Sequence, residues 1–266
     1  MKPLILLTND DGIKSPGLRA LAEELGKIGE IWVAAPHTQQ TSAGRSHPPT
    51  SSGIITEADG YPAGIHAFSV EASPSQCVDY AILELMPGCP ELVISGINSG
   101  VNLGSDITRS GTVGAALEAA NYGIPSIAAS LEIHQDEVFA AEPRADFSIA
   151  ACFTRLFAEA LLEGNYIDDV DVLKIDVPDN AVRSTPWEIT KLAKKSFYHP
   201  AKPERKTLSD KGRLGWCVEA DLTVFDEGTD LHTIFSKRIV SVTPLSMDMT
   251  SRISLSSLDK ELRGKS

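Results

Sequence analysis

The sequence predicts an α/β fold: a doubly wound, mostly parallel sheet followed by a C-terminal β-rich excursion or arm. Three observations carry that expectation. Short apolar runs at residues 4–7, 31–35, 92–97 and 126–131 alternate with segments whose apolar residues recur at helical spacing, the pattern of parallel strands joined by helical crossovers. The first run stops on Asn9-Asp10-Asp11-Gly12 and the third runs into a glycine- and asparagine-rich stretch. Ligands in such sheets bind beyond the carboxyl ends of strands, so both endings are candidate site positions.

Taken in order, residues 4–8 form a buried strand. After Ser15-Pro16-Gly17, the residues Leu18, Leu21, Ala22, Leu25 and Ile28 share one helical face, with Ser15 at the N-cap and Pro16 at the first helical position. A strand at 31–35 precedes a long polar loop over 36–53, and a loop of that length inside a compact domain is usually functional or disordered. Ile54-Ile55 and residues 65–70 read as a hairpin around Asp59-Gly60. Ser73-Pro74 opens a helix to about Leu85, followed by a strand at 92–97, a helix at 111–121 and a strand at 126–131. Beyond these lie a long helix at 145–162 and strands at 172–177, 187–192 and 239–242. Residues 197–227 are polar and irregular and carry Lys202, Arg205, Lys206, Lys211 and Arg213, here read as a β-rich arm that contacts another subunit.

The chain has 266 residues, 42% hydrophobic and 23% charged, enough for one domain spanning 1–266, with a core over about 1–180 and an arm over 181–266. No apolar run approaches the ~20 residues that cross a bilayer. Met1-Lys2-Pro3 leads directly into the first strand, so no signal peptide and a cytoplasmic location are expected. Cys77, Cys89, Cys152 and Cys217 form no Cys-x-x-Cys pair and signal neither a zinc site nor a disulfide framework. A net charge of -12 argues against a basic groove for duplex nucleic acid. An anionic ligand would need a bound cation to reverse the local sign.

The strongest motif runs from Ser95-Gly96-Ile97-Asn98 through Asn102 to Asp106, and is followed by Ser110-Gly111-Thr112 at a helix start. Glycines admit close backbone approach, while the free N–H groups of a helix N-terminus and two hydroxyls suit a phosphate. The spacing is neither Gly-x-Gly-x-x-Gly nor Gly-x-x-x-x-Gly-Lys-Ser/Thr, which removes support for dinucleotide binding and for ATP hydrolysis. Asp10, Asp11, Thr41 and Asn98 all follow strand ends and together make an all-oxygen set suited to Mg²⁺ or Mn²⁺. His37, His47, His66, His134, His199 and His232 show no metal-site spacing. Two bland readings stand beside these: an Asx turn at residues 9–12 and an ordinary capped helix at 110–112.

These motifs, with the Ala35-Pro36 loop, Asp176-Val177-Pro178, Gly228-Thr229-Asp230 and the stretch from Val240 to Leu245, resemble the SurE family, the survival-protein-E nucleotidases, through nearly the whole chain. The resemblance implies a Rossmann-like core and a divalent-metal-dependent phosphatase of nucleoside 5′- and 3′-monophosphates, sometimes of polyphosphate, assembled as a homodimer or homotetramer. It places Asp10, Asp11, Thr41 and Asn98 on one Mg²⁺ or Mn²⁺ ion, Asn102, Ser110, Gly111 and Thr112 around the phosphate, and Asp230 as an acid of the site. Two departures stand out. The metal-binding serine of the family is Thr41 here, with Ser42 adjacent, and the Asp-Arg usual after the proline is His37-Thr38, leaving Arg45 as the candidate replacement. The expected reaction is in-line attack by a metal-activated water with Asp10 or Asp11 orienting it; attack by an aspartate itself is the competing route. The alternative of another class is a nucleotide- or metal-binding module without turnover.

Overall fold

The computed structural model describes residues 2–134, 145–164, 167–219 and 221–264. Its centre is a nine-stranded sheet. In chain order the elements are β1 (Leu4–Thr8), α1 (Pro16–Leu25), β2 (Glu30–Pro36), β3 (Ile55–Glu57), β4 (His66–Val70), α2 (Pro74–Tyr80), β5 (Leu92–Ser99), α3 (Gly111–Asn121) and β6 (Ser126–Leu131). There follow α4 (Ser148–Leu162), β7 (Val172–Val177), β8 (Trp187–Ile189), β9 (Tyr198–Ala201), β10 (Gly215–Val218), α5 (Asp230–His232), β11 (Val240–Leu245) and α6 (Leu255–Arg263). The strand order is β3-β4-β2-β1-β5-β6-β7-β11-β8.

Pairing is parallel from β4 through β7 and again between β11 and β8, and antiparallel where β3 joins β4 and β11 joins β7. This is the expected doubly wound, mostly parallel Rossmann-like sheet. The order reverses at β1, which lies between β2 and β5. The carboxyl end of β1 therefore opens onto the crevice where such sheets bind ligands.

β1 is apolar throughout because both faces are covered. Ile5 and Leu7 pack with Leu18, Leu21 and Leu25 of α1 and with Phe153 and Phe157 of α4. Leu6 points the other way, to Val78 of α2 and Ala115 and Ala119 of α3. The helices thus form two layers around one sheet.

Several expected boundaries shift. α2 ends at Tyr80 and its continuation over Ala81–Leu85 widens into π-type turns. α4 begins at Ser148, not at 145. Ser15 stands at the N-cap of α1 but its side chain makes no cap bond, whereas Ser73 forms a full capping box on α2. β8 stops at Ile189, and β11 runs on to Leu245 because Thr243, Pro244 and Leu245 continue to pair with β7. The residues beyond 180 are more than an arm, since β8 and β11 complete the sheet. Within 197–227 the structure resolves a separate hairpin, β9 with β10, whose two largely uncovered faces give it no apolar periodicity. The four cysteines are free thiols, and no helix of the described residues is long and apolar enough to cross a membrane.

Candidate active site

The turn after β1 is an Asx turn, and Asn9 builds it. Its Oδ1 accepts from Gly12 N and its Nδ2 donates to Gly12 O, each at 3.1 Å. Gly12 has φ +97°, a conformation that glycine alone adopts without strain. Because Asn9 satisfies the turn, Asp10 and Asp11 are left for other work. Gln40 N donates to Asp10 O at 2.7 Å and Gly44 N to Arg109 O at 3.0 Å, which draws the long loop after β2 over the strand end.

Asp10 Oδ1 accepts from Thr112 Oγ1 at 2.6 Å, and the Thr112 N–H also faces this carboxylate. Asp11 Oδ1 accepts from Gln39 Nε2 at 3.2 Å and Oδ2 from Ser99 N at 2.9 Å. Burial, then the charge of Asp11, pushes the Asp10 carboxyl up to about 7, and burial also raises Asp11. Among the described residues no cationic side chain pairs with either acid. Two adjacent carboxylates, one of them buried, cannot both ionise cheaply without a positive partner.

Asn98 Nδ2 donates to Gly100 O at 2.6 Å, leaving its Oδ1 without a donor among the described residues. Asp10, Asp11, Thr41, Ser42 and Asn98 line one cleft of about 330 Å³ together with Asn102 and Ser110. These hard oxygen donors, with no cationic side chain bonded to either acid among the described residues, fit a divalent cation. Thr41 and Ser42 both reach the cleft wall, so the two candidate hydroxyls are present side by side.

The expected phosphate residues divide. Ser110 lines the cleft, but its Oγ caps α3 by accepting from Val113 N at 3.1 Å. Thr112 spends its hydroxyl on Asp10 and lies behind it rather than on the cleft wall. Gly111 is a packing requirement: a Cβ there would lie 2.7 Å from Asp10 Cβ. Asn102 lines the cleft, with its Nδ2 on Ser130 Oγ and its backbone N on Asp176 Oδ1, both at 2.9 Å.

Asp230 requires a correction. It is fully buried and lies off the cleft wall. Its Oδ2 accepts from Gly104 N at 2.9 Å and its Oδ1 from Ala193 N and Leu231 N at 3.0 and 2.9 Å. Lys174, equally buried, bonds Asp176 and lies 3.2 Å from Asp230 Oδ2. Burial alone would push Lys174 down, but Asp176 and Asp230 outweigh it and hold the ammonium above its ordinary value. Asp230, Lys174 and Asp176 thus form one buried network, bonded through Asn102 N and Gly104 N to the loop that carries Asn102. Arg45 also differs from expectation: its Nε pairs with Glu118 at 2.7 Å and it does not line the cleft.

The structure adds residues to which the sequence reading gave no site role. Asp106 and Arg109 from the turn before α3, and Tyr198, Trp216, Cys217 and Val218 from the β9–β10 hairpin, complete the cleft. Arg109 brings a guanidinium to the cleft wall, where its Nη2 donates to Asp106 Oδ1. Asp106 lay inside the glycine-rich motif, but its partner segment is distant in sequence and polar.

A second group of candidate metal ligands lies elsewhere. His47, Asp79 and Glu118 bring their ligand atoms within 4.8 Å of one another, an arrangement compatible with a divalent metal. His47 Nε2 is 2.8 Å from Asp79 Oδ2, while Arg45 and Tyr122 also bond the acids, so the group is well partnered by protein alone.

The family described as Survival protein SurE matches residues 5–199. A protein of Thermococcus gammatolerans named 5'-nucleotidase SurE is 41% identical over 98% of this chain and 97% of its own length. One of the same name from Methanosarcina acetivorans is 38% identical over 98% of each. The crystal structure of the SurE protein from Aquifex aeolicus superimposes with a TM-score of 0.79 at 30% identity, covering 98% of this chain and all of that one. With its switch-point acids, its glycine-asparagine loop and these relatives, the chain belongs to the SurE family.

Proposed function

We propose that this cleft hydrolyses nucleoside 5′-monophosphates to nucleoside and inorganic phosphate, the activity named for the relatives, and that 3′-monophosphates and polyphosphate are also substrates. The observation that carries the reading is the acid pair at the switch point of the sheet, Asp10 buried and Asp11 half-buried, with no cationic side chain bonded to either among the described residues. A divalent cation, Mg²⁺ or Mn²⁺, held by Asp10, Asp11, Asn98 and Thr41 would polarise a phosphoryl oxygen and acidify water.

The chain's own residues do the rest. The N-terminal end of α3, which reaches the cleft at Ser110, offers positive charge to the phosphate. Asn102, fixed by Ser130 and Asp176, holds a phosphoryl oxygen or ribose hydroxyl through its remaining amide oxygen or N–H. One carboxylate orients the attacking water, whose oxygen adds to phosphorus as the P–O ester bond breaks and the leaving alkoxide takes up a proton. The decisive experiment measures phosphate release from nucleoside 5′- and 3′-monophosphates and polyphosphate by metal-stripped protein, before and after Mg²⁺ or Mn²⁺, with Asp11→Asn alongside. Metal-restored release in the parent and none in the variant supports the reading. Saturable nucleotide binding with no release under any divalent cation would leave a binding module instead.

A homodimer or homotetramer belongs to the same proposal. Near the C-terminus, Met249, Leu255 and Leu262 are exposed, and α6 buries no residue. Light scattering that gives a monomer at micromolar concentration would remove this part.

A further inference from the structure

Trp216 is a large aromatic residue with no core to serve. It is 45% exposed and joins none of the hydrophobic clusters, although its hairpin neighbours Tyr198 and Val218 pack against one. It lies instead on the wall of the cleft that holds Asp10 and Asp11. The Arg109 guanidinium sits 4.7 Å from its ring centroid.

This pair is held by design of the surrounding bonds. Asp106 Oδ2 accepts from Phe197 N at 2.9 Å and Tyr198 N at 3.0 Å, which pins the start of β9. Its Oδ1 takes Arg109 Nη2. One carboxylate thereby fixes both the hairpin that carries Trp216 and the arginine that covers it. Trp216 pairs with Pro200 across the hairpin, and Pro200 has no N–H to donate.

We infer that Trp216 and Arg109 form the nucleobase wall of the cleft, so that the base of the substrate stacks on the indole or guanidinium plane while its phosphate reaches the acids. This inference rests on the proposed nucleotidase reading and adds the base-selecting element to it. Planar π faces and a planar cation bind every base without a hydrogen-bond code, and the gain grows with ring area. The selection is therefore for purine over pyrimidine monophosphates, and for either over a sugar phosphate. The family match ends at residue 199, so Trp216 lies beyond the matched segment.

The test compares kcat/KM for AMP, CMP and ribose 5-phosphate in the parent, Trp216→Ala and Trp216→Phe. The AMP preference over ribose 5-phosphate should fall on the order of ten-fold in Trp216→Ala, as expected for loss of one stacked base, and recover largely in Trp216→Phe. An unchanged ratio in Trp216→Ala, or a parent that prefers CMP, overturns the inference. A binding measurement separates this result from the hydrolysis reading: adenosine should quench indole fluorescence in the parent and not in Trp216→Phe. That outcome with no phosphate release from any substrate keeps the base wall and removes the nucleotidase. Equal quenching in both proteins removes the base wall.

Discussion

Thr112 donates its hydroxyl to Asp10 Oδ1 across 2.6 Å, joining the first turn of α3 to the end of β1. Both residues are buried, so the bond is made where water competes poorly. Thr112→Val keeps the shape and removes the donor. The carboxylate would then lose one of the interactions that hold its proton affinity down, and unfolding in urea should show a loss of about 1–3 kcal/mol. Thr112→Ser, which restores the hydroxyl, should recover most of the phosphate release lost in Thr112→Val; equal damage in both would mean that the methyl group and not the bond is what matters.

Gly111 presents the same contact from the other side. An alanine methyl would lie 2.7 Å from Asp10 Cβ and 2.8 Å from Oδ2. Helix propensity alone favours alanine over glycine, so a neutral or stabilised Gly111→Ala would show that the contact relaxes freely. The expected result is the opposite: a stability loss of about 1–3 kcal/mol from overpacking, together with weakened metal binding measured by calorimetry.

The legibility of this site in the sequence follows the distance over which each contact acts. Asp10, Asp11 and Asn102 follow strands and Asn98 lies near the end of β5, and because strand ends converge in a doubly wound sheet their meeting in one cleft was legible. The Asx turn was readable as a turn, but which residue made it was not, since Asn9, Asp10 and Asp11 all have suitable side chains. Asp230 stood in a recognisable motif, yet its surroundings include Lys174, which lies with Asp176 in a strand otherwise apolar and which the fold buries completely. Trp216 gave no signal because β10 is largely exposed and shows no alternation; long-range contacts, among them the bonds that Asp106 accepts from Phe197 N and Tyr198 N, bring the hairpin to the cleft.

The two acids make stability depend on pH and metal in a linked way. The Asp10 carboxyl is raised from 3.8 to about 7, and Asp11 is raised as well. The folded state therefore holds protons that the unfolded chain has released. The stabilisation from these protonated carboxyls is complete below their ordinary values and is lost as pH rises toward and through 7. A divalent cation replaces the proton, so Mg²⁺ or Mn²⁺ should raise Tm more at pH 8 than at pH 5 in thermal scans of metal-stripped protein. In Asp11→Asn the metal-free fall in stability over that interval should be smaller, because Asp10 no longer faces a neighbouring charge. A metal-induced rise that is the same at both pH values would show that the cation does not compete with protons at this pair.

The buried Lys174 joins two carboxylates that each hold backbone N–H groups of the loop bearing Asn102 and Gly104. Removing the ammonium leaves both acids in the dry interior with no cation, whereas removing one acid leaves the lysine one partner. Lys174→Met should therefore be the most costly change in the network, by about 3–5 kcal/mol in denaturant unfolding. Asp230→Asn retains a carbonyl oxygen for some of the backbone donors, and Lys174 keeps Asp176, so a smaller loss is expected. If Asp230 acts by positioning, Asp230→Asn should alter KM through the Asn102 loop while metal affinity stays near that of the parent protein. If it instead supplies a proton or a metal contact, kcat or metal affinity should collapse with KM little changed. Kinetics and calorimetry on this one variant distinguish the two roles.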